Sequence, residues 1–207
     1  MWTELRRLAD EEEGLSCLAS DAMGRAHGMD PSVAPMWSGA RCVGRALTVR
    51  PLDGDLGAVF EAIDAAEPGD VLVIEGCLGP SVALWGENTS LSARNRGVAG
   101  VVLGAPCRDR AAHSRLGFPV FAMGTTPRGA RVIGGGETHV SVTVGGVVVR
   151  PGDAVIGDGD GVTIVPQARL ADVLAALPAA MERDRATRRA LAEGGTVGAL
   201  RRATLER

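Results

Sequence analysis

The sequence predicts a single α/β domain, and three observations carry that prediction. Apolar residues at helical spacing over 56–66 are followed, after Pro68-Gly69-Asp70, by Val71-Leu72-Val73-Ile74, the continuous apolar run of a strand buried on both faces. The pairing recurs: a segment that reads as a helix to about Arg96 stops at Gly97 and leads into a second buried run at 98–103. Finally, 207 residues that are 45% apolar and 23% charged suffice for one self-supporting core and are too apolar for a disordered chain.

The remaining elements follow in order. Residues 3–10 and the acidic Glu11-Glu12-Glu13 predict a short, solvated N-terminal helix, so that 1–14 forms an arm, and 15–25 predict a second helix. A loop with two prolines and Trp37 spans 31–39. Branched residues make 43–50 a strand, where Gly44 allows a bulge or close backbone approach and Arg45 is expected to pair with a carboxylate. Leu56, Val59, Phe60 and Ile63 share the apolar face of the helix at 56–66. A glycine-bearing loop, 76–80, delivers the chain to Trp85. A short helix at 110–116 and a strand at 120–123 come next, then a Thr-Pro turn in which Arg128 is a candidate anion contact. Gly145-Gly146 between alternating residues marks a hairpin over 141–149. Strands are expected at 154–156 and 162–165, and a helical region over 168–207, broken near Gly194-Gly195. The Asp158-Gly159-Asp160-Gly161 run reads as a tight turn, because a calcium loop needs ligands to a twelfth position and flanking helices.

Composition narrows the function. A formal net charge of −3 provides no basic field for nucleic acid, and the acidic residues interleaved among the C-terminal arginines argue against an RNA-binding helix. No run approaches the roughly 20 apolar residues of a membrane span, and the charged N-terminus has no signal-peptide core, so a cytoplasmic protein is expected. Cys17, Cys42, Cys77 and Cys107 show no metal or redox spacing, and His27, His113 and His139 read as surface or turn residues. GCLGPS lacks the ending of a phosphate loop, and neither a dinucleotide glycine fingerprint nor a serine-nucleophile motif is present.

One stretch can carry chemistry: residues 85–109, which run through turn, helix, strand and the adjacent Arg108-Asp109. A helix start presents unpartnered N–H groups and the positive end of its dipole, which suits a carboxylate or phosphate, and Gly86 there lets a ligand come close. The turn Gly104-Ala105-Pro106-Cys107 would return Arg108 and Asp109 to that helix start, beside Glu87. Two carboxylates with an arginine suit a hard divalent cation together with a small organic anion. Taken alone, the same residues also fit ordinary capping and a surface ion pair.

With twenty residues between Glu87 and Arg108, the stretch resembles the acidic-residue, twenty-residue, Arg-Asp signature of class II pyruvate aldolases acting on 4-hydroxy-4-methyl-2-oxoglutarate and 4-carboxy-4-hydroxy-2-oxoadipate. That family is similar in sequence and fold to RraA, the regulator of RNase E activity. Ser20-Asp21-Ala22-Met23-Gly24, Gly44-Arg45-Ala46-Leu47-Thr48-Val49, the run 68–74, Gly117-Phe118-Pro119-Val120-Phe121 and the run 157–162 match similar runs of the family in the same order.

The resemblance implies an RraA-like α/β/β sandwich, a central mixed sheet flanked by helices. It also implies a metal-dependent lyase that releases pyruvate through an enolate and decarboxylates oxaloacetate as a second reaction. Asp109 would be the direct ligand of Mg²⁺ or Mn²⁺, and Glu87 would hold metal-bound water or a second position. Arg108 would bind the 2-oxo group and stabilise the enolate, while Gly86, Glu87, Asn88 and Thr89 would line the substrate carboxylate. Asp21 would help to close the pocket of a neighbouring subunit in a homotrimer or hexamer, although the residue fits a local cap or ion pair equally well. All 22 basic residues are arginine, so a Schiff-base aldolase is excluded.

The chain departs from the family at several points. Glu87 replaces an aspartate, Gly104-Ala105 replaces Asp-Gly, and Pro106 and Cys107 replace small and branched residues. The alternatives are a non-catalytic RraA-like regulator of an RNA-degradation enzyme, or a biosynthetic relative using another 2-oxo acid. Against the regulator, those proteins have glycine where Glu87 stands and an acidic residue where Ala112 stands.

Overall fold

The computed structural model describes residues 1–76 and 82–205. In chain order its elements are α1 (Trp2–Glu11), α2 (Leu15–Ala22), β1 (Ala34–Pro35), β2 (Cys42–Pro51), α3 (Gly57–Ala65), β3 (Asp70–Ile74), α4 (Glu87–Asn95), β4 (Gly100–Leu103), α5 (Arg110–Leu116) and β5 (Val120–Ala122). There follow β6 (Gly136–Thr138), β7 (Val142–Val144), β8 (Val147–Val149), β9 (Ala154–Asp158), β10 (Gly161–Val165), α6 (Leu170–Ala192) and α7 (Val197–Leu205).

Strands β2, β3, β4 and β5 pair in parallel, each joined to the next through a helix, which is the connection parallel pairing requires. Antiparallel strands extend this core at both sides, giving the order β1-β5-β4-β3-β2-β9-β10, with β6 also on β2. The sheet is nearly closed, because residues 27–29 bond to β10 and the same segment continues into β1 beside β5.

Alternation along the buried strands sorts side chains into layers. Leu72 and Ile74 of β3 face α3, Trp85 and Phe118, whereas Val71 and Val73 face the β7–β8 hairpin together with Phe121 and Val155. A third cluster joins α1, α2 and α6 to Ala154, Ile156 and Val165. Helices on one face and strands on the other make the α/β/β sandwich that the resemblance implies.

Three local readings are corrected. Helix α1 is amphipathic rather than solvated: Leu5 and Leu8 are buried, and Glu12 beyond it is buried against Arg188 of α6 at 2.9 Å. Phe60 does not join the core. Small Ala58 and Ala62 pack there with Val59 and Ile63, leaving the phenyl ring 38% exposed. Strands β1 and β6 lie in segments without a strand pattern, and both are short edge pieces defined by their partners. Of the loop expected at 76–80, residues 77–80 lie outside the described residues, as does the rejected phosphate-loop motif beyond Gly76.

Other expectations hold. Arg45 pairs with Asp70 at 3.0 Å and with Glu67 at 2.6 Å. Asp158 uses its oxygens on Ser16 N–H at 2.8 Å, Ser16 Oγ at 2.7 Å and Asp160 N–H at 3.0 Å, so the Asp-Gly run is a hairpin turn that pins α2. Asp21 pairs loosely with Arg25 at 3.7 Å, within its own segment.

Gly44 is required by packing, since a Cβ there would sit 2.2 Å from the Gly69 carbonyl oxygen, whereas one at Gly159 would meet nothing within 4 Å. Gly44→Ala should therefore lower the denaturation midpoint by the equivalent of about 1–3 kcal/mol, and Gly159→Ala should shift it by no more than about 0.5 kcal/mol. Urea titrations of the two variants beside the parent check both values.

Candidate active site

The site lies where chains leave the carboxyl ends of β3 and β4, the usual place for ligands in a parallel α/β sheet. After β4, the segment through Pro106 runs beside the segment before α4: Leu84 N–H donates to Pro106 O at 3.2 Å and Arg108 N–H to Trp85 O at 2.9 Å. This backbone pairing brings Arg108 and Asp109 to the start of α4. The Asp109 carboxylate then accepts from Glu87 N–H at 3.0 Å, and its Oδ2 lies 3.6 Å from Arg108 Nε. Arg108 and Asp109 therefore reach the start of α4, where the contact is to the Glu87 backbone, while the Glu87 carboxylate is turned to Arg115 at 3.0 Å.

Gly86 lines the cavity beside Arg108 and also makes room for its neighbours. Its backbone is extended, a conformation open to any residue, but a Cβ would lie 2.7 Å from Asp109 Oδ2 and 3.0 Å from Arg108 Cγ. A Cβ on Gly129 would likewise lie 2.8 Å from Arg108 Nη1. Missing side chains thus make room for the Arg-Asp pair itself.

Asp109 adopts a left-handed conformation, φ 57° and ψ 36°, which costs a non-glycine residue on the order of 1 kcal/mol. That backbone turn lets its carboxylate reach α4 instead of capping α5.

Behind this surface runs a buried polar chain that the sequence did not reveal. Trp85 Nε1–H donates to Ser90 Oγ at 2.8 Å, Ser90 Oγ lies 3.1 Å from His113 Nδ1, and His113 Nε2 lies 2.8 Å from the Arg108 carbonyl. A carbonyl only accepts, so Nε2 carries the proton and Nδ1 accepts from the serine hydroxyl. Burial holds the His113 pKa below the ordinary histidine value, consistent with this neutral tautomer. His113 is thus neither a surface nor a turn residue, unlike His27 and His139, which occupy positive-φ positions. Its signal in sequence is only its place four residues after Asp109, on the inner face of α5.

Thr89 is also committed locally: its hydroxyl accepts from Gly86 N–H and donates to Gly86 O, both at 2.8 Å. With Glu87 N–H bound to Asp109, the first-turn N–H groups of Asn88 and Thr89 remain for an anion. Cys107 is fully buried, and burial pushes its thiol up to about 11, which disqualifies it as a nucleophile near neutral pH. Arg128 does not line the cavity beside Arg108.

Among the described residues, no three His, Cys, Asp or Glu side chains converge on a metal position. Asp109 and Glu87 are nevertheless 42% and 39% exposed. Asp109 uses Oδ2 toward Glu87 N–H, and Glu87 uses Oε1 toward Arg115 at 3.0 Å, so each carboxylate retains a second oxygen. One or two carboxylates, completed by water and substrate oxygens, are what Mg²⁺ takes, so the residues present fit such an ion.

Comparison with known proteins agrees with this architecture. A family model described as RraA-like, Aldolase/RraA, matches residues 16–164. A Halalkalibacterium halodurans protein provisionally named a 4-hydroxy-4-methyl-2-oxoglutarate aldolase is 35% identical over 174 residues, 84% of this chain and 83% of that one. An uncharacterized protein from Pseudomonas syringae pv. tomato superposes with a TM-score of 0.79 at 26% identity, covering 90% and 88% of the two chains. Streptomyces coelicolor RraAS2, described as an unusual member of the RNase ES inhibitor RraA family, superposes with a TM-score of 0.72 at 25% identity, covering 84% and 90%. Sharing their sequence pattern and their sandwich over most of its length, this chain belongs to the Aldolase/RraA family.

Proposed function

We propose that this protein is a divalent-metal-dependent lyase that cleaves a 4-hydroxy-2-oxo acid, the class that includes 4-hydroxy-4-methyl-2-oxoglutarate, to release pyruvate. Decarboxylation of oxaloacetate, which passes through the same enolate, is its second reaction. The observation that carries this reading is the placement of Arg108 and Asp109 at the N-terminus of α4, which Glu87 begins. The Halalkalibacterium relative's name supports the same reaction class.

The hard step is to develop negative charge on the 2-oxo oxygen as the enolate forms. Mg²⁺ or Mn²⁺ held by Asp109, with Glu87 beside it, would supply Lewis-acid stabilisation of that charge. Arg108 donates to the same oxygen from its slot between Gly86 and Gly129, where it is held before the reaction begins. The N–H groups of Asn88 and Thr89 receive the substrate carboxylate. Arg115 orients Glu87, and His113 fixes the Arg108 carbonyl, so neither needs to touch substrate. His113 is not the base, since both ring nitrogens are engaged in the buried chain.

The working unit is proposed to be a homotrimer or hexamer. Exposed Leu52, Val132 and Ile133, at 53%, 64% and 70%, support burial of this edge against another copy. Among the described residues no helix is long and apolar enough to cross a membrane.

Pyruvate release from oxaloacetate with Mg²⁺ or Mn²⁺ is expected to stop on chelation, and Arg108→Ala or Asp109→Ala should lower kcat by about 10²–10³. Metal-independent turnover, or full activity in both variants, would sink the proposal. A second expectation concerns acidity. Because the folded pKa of His113 is depressed, its stabilising contribution is complete above the unfolded value near 6.5 and is lost as pH falls below it. Denaturation midpoints from pH 7.5 down to pH 5 should fall for the parent, and this part of the slope should be missing in His113→Gln.

A further inference from the structure

The Arg108 guanidinium ends against bare backbone. A Cβ built on Gly129 would lie 2.8 Å from Arg108 Nη1 and 3.8 Å from its Cζ; its chain neighbours aside, it would meet no other described atom within 4 Å. Gly129 has no positive φ, so no left-handed strain opposes an alanine there. What the absent side chain provides is space, and a methyl group at 129 would compete with Arg108 for it.

The segment that carries Gly129 is not free to recede. Ala83 N–H donates to Arg128 O at 2.7 Å, Arg131 N–H to Gly54 O at 2.8 Å and Leu56 N–H to Arg131 O at 2.9 Å. Asp55 tightens the same junction: it is fully buried, and its Oδ1 accepts from Gly57 N–H at 2.8 Å and from Ile133 N–H at 3.1 Å. Moving the segment would leave polar groups there without partners. Arg108, in contrast, is half exposed and reaches Gly129 with the far end of a flexible side chain. The guanidinium therefore yields, and Nη1 withdraws by about 0.6 Å, from 2.8 Å to the 3.4 Å at which ordinary contact begins. A shift of that size matters for a donor aimed at developing charge, since a misplacement of about 1 Å can cost on the order of 10²-fold.

Resting on the lyase reading for the task of Arg108, we propose that Gly129 is a positioning residue of this site. Its missing side chain, on a segment anchored by the buried Asp55, sets where the guanidinium fork meets the anion. Gly129 does not itself line the cavity beside Arg108, so it acts through the arginine.

The test uses oxalate, a planar dianion with the oxygen arrangement of pyruvate enolate, titrated by calorimetry into the full chain with saturating Mg²⁺. Gly129→Ala should weaken oxalate binding by about tenfold and leave the urea midpoint where it stands in the parent. A merely structural role would move the midpoint. Arg108→Lys supplies the second arm: a lysine keeps the charge but ends about where Arg108 Cζ sits, 3.8 Å from the Cβ position. In that background Gly129→Ala should change oxalate affinity by less than about twofold. Equal affinity in the parent and Gly129→Ala, an equal loss in both backgrounds, or a parent that binds no oxalate would overturn the proposal. The lyase reading fails separately. No pyruvate from oxaloacetate or from any 4-hydroxy-2-oxo acid, with the coupling to Arg108 intact, would remove the reaction and leave the positioning role of Gly129 established.

Discussion

The site depends on one buried hydrogen-bond chain, from the Trp85 indole through Ser90 and His113 to the Arg108 carbonyl. It joins the segment that starts α4 to the segment that follows β4, and Trp85, Ser90 and His113 in it are buried. A buried donor or acceptor left without a partner costs roughly 1–3 kcal/mol, so the chain tolerates little displacement of either end. Trp85 also stacks on Phe118, with centroids 6.1 Å apart, which fixes the indole before its N–H is used. Arg108 and Asp109 therefore stand on a rigid base although their own side chains are half exposed.

Above that base, backbone proximity does most of the positioning. Gly76 and Gly104 abut where the exits of β3 and β4 cross, since a Cβ on Gly76 would sit 1.9 Å from Gly104 O. Gly86 and Gly129 then flank the Arg108 side chain. The unusual backbone of Asp109 belongs to the same design: its carboxylate is turned to the neighbouring helix, where it accepts an N–H and leaves one oxygen outward. Rigid glycine contacts below and exposed carboxylate oxygens above are a combination suited to binding an exchangeable ion and a small anion.

Helix α3 contributes to both the core and the cavity. Its small residues, Ala58 and Ala62, face inward and allow close packing on the sheet, which turns Phe60 toward the cavity. The same exchange of large for small that stabilises the sheet gives the cavity its apolar wall.

The sheet strands, most helices and the return of Arg108 and Asp109 to the start of α4 were legible in the residues, the last of these through resemblance. Runs such as Val71-Leu72-Val73-Ile74 and turns such as Asp158-Gly159-Asp160-Gly161 report local backbone preference, which a chain carries wherever it folds. The orientation of Phe60, the strands β1 and β6, the use of Gly86 and the burial of His113 were not legible. Each depends on atoms brought from elsewhere in the chain: Gly86 on Asp109, His113 on Trp85 through Ser90, β6 on β2. By itself the sequence determined which segments could be helix, strand or anion-binding turn, because periodicity and turn chemistry are properties of neighbours along the chain. Only the tertiary structure decided which polar atoms are shut away from water and which carboxylate oxygens remain open, because desolvation is a property of neighbours in space.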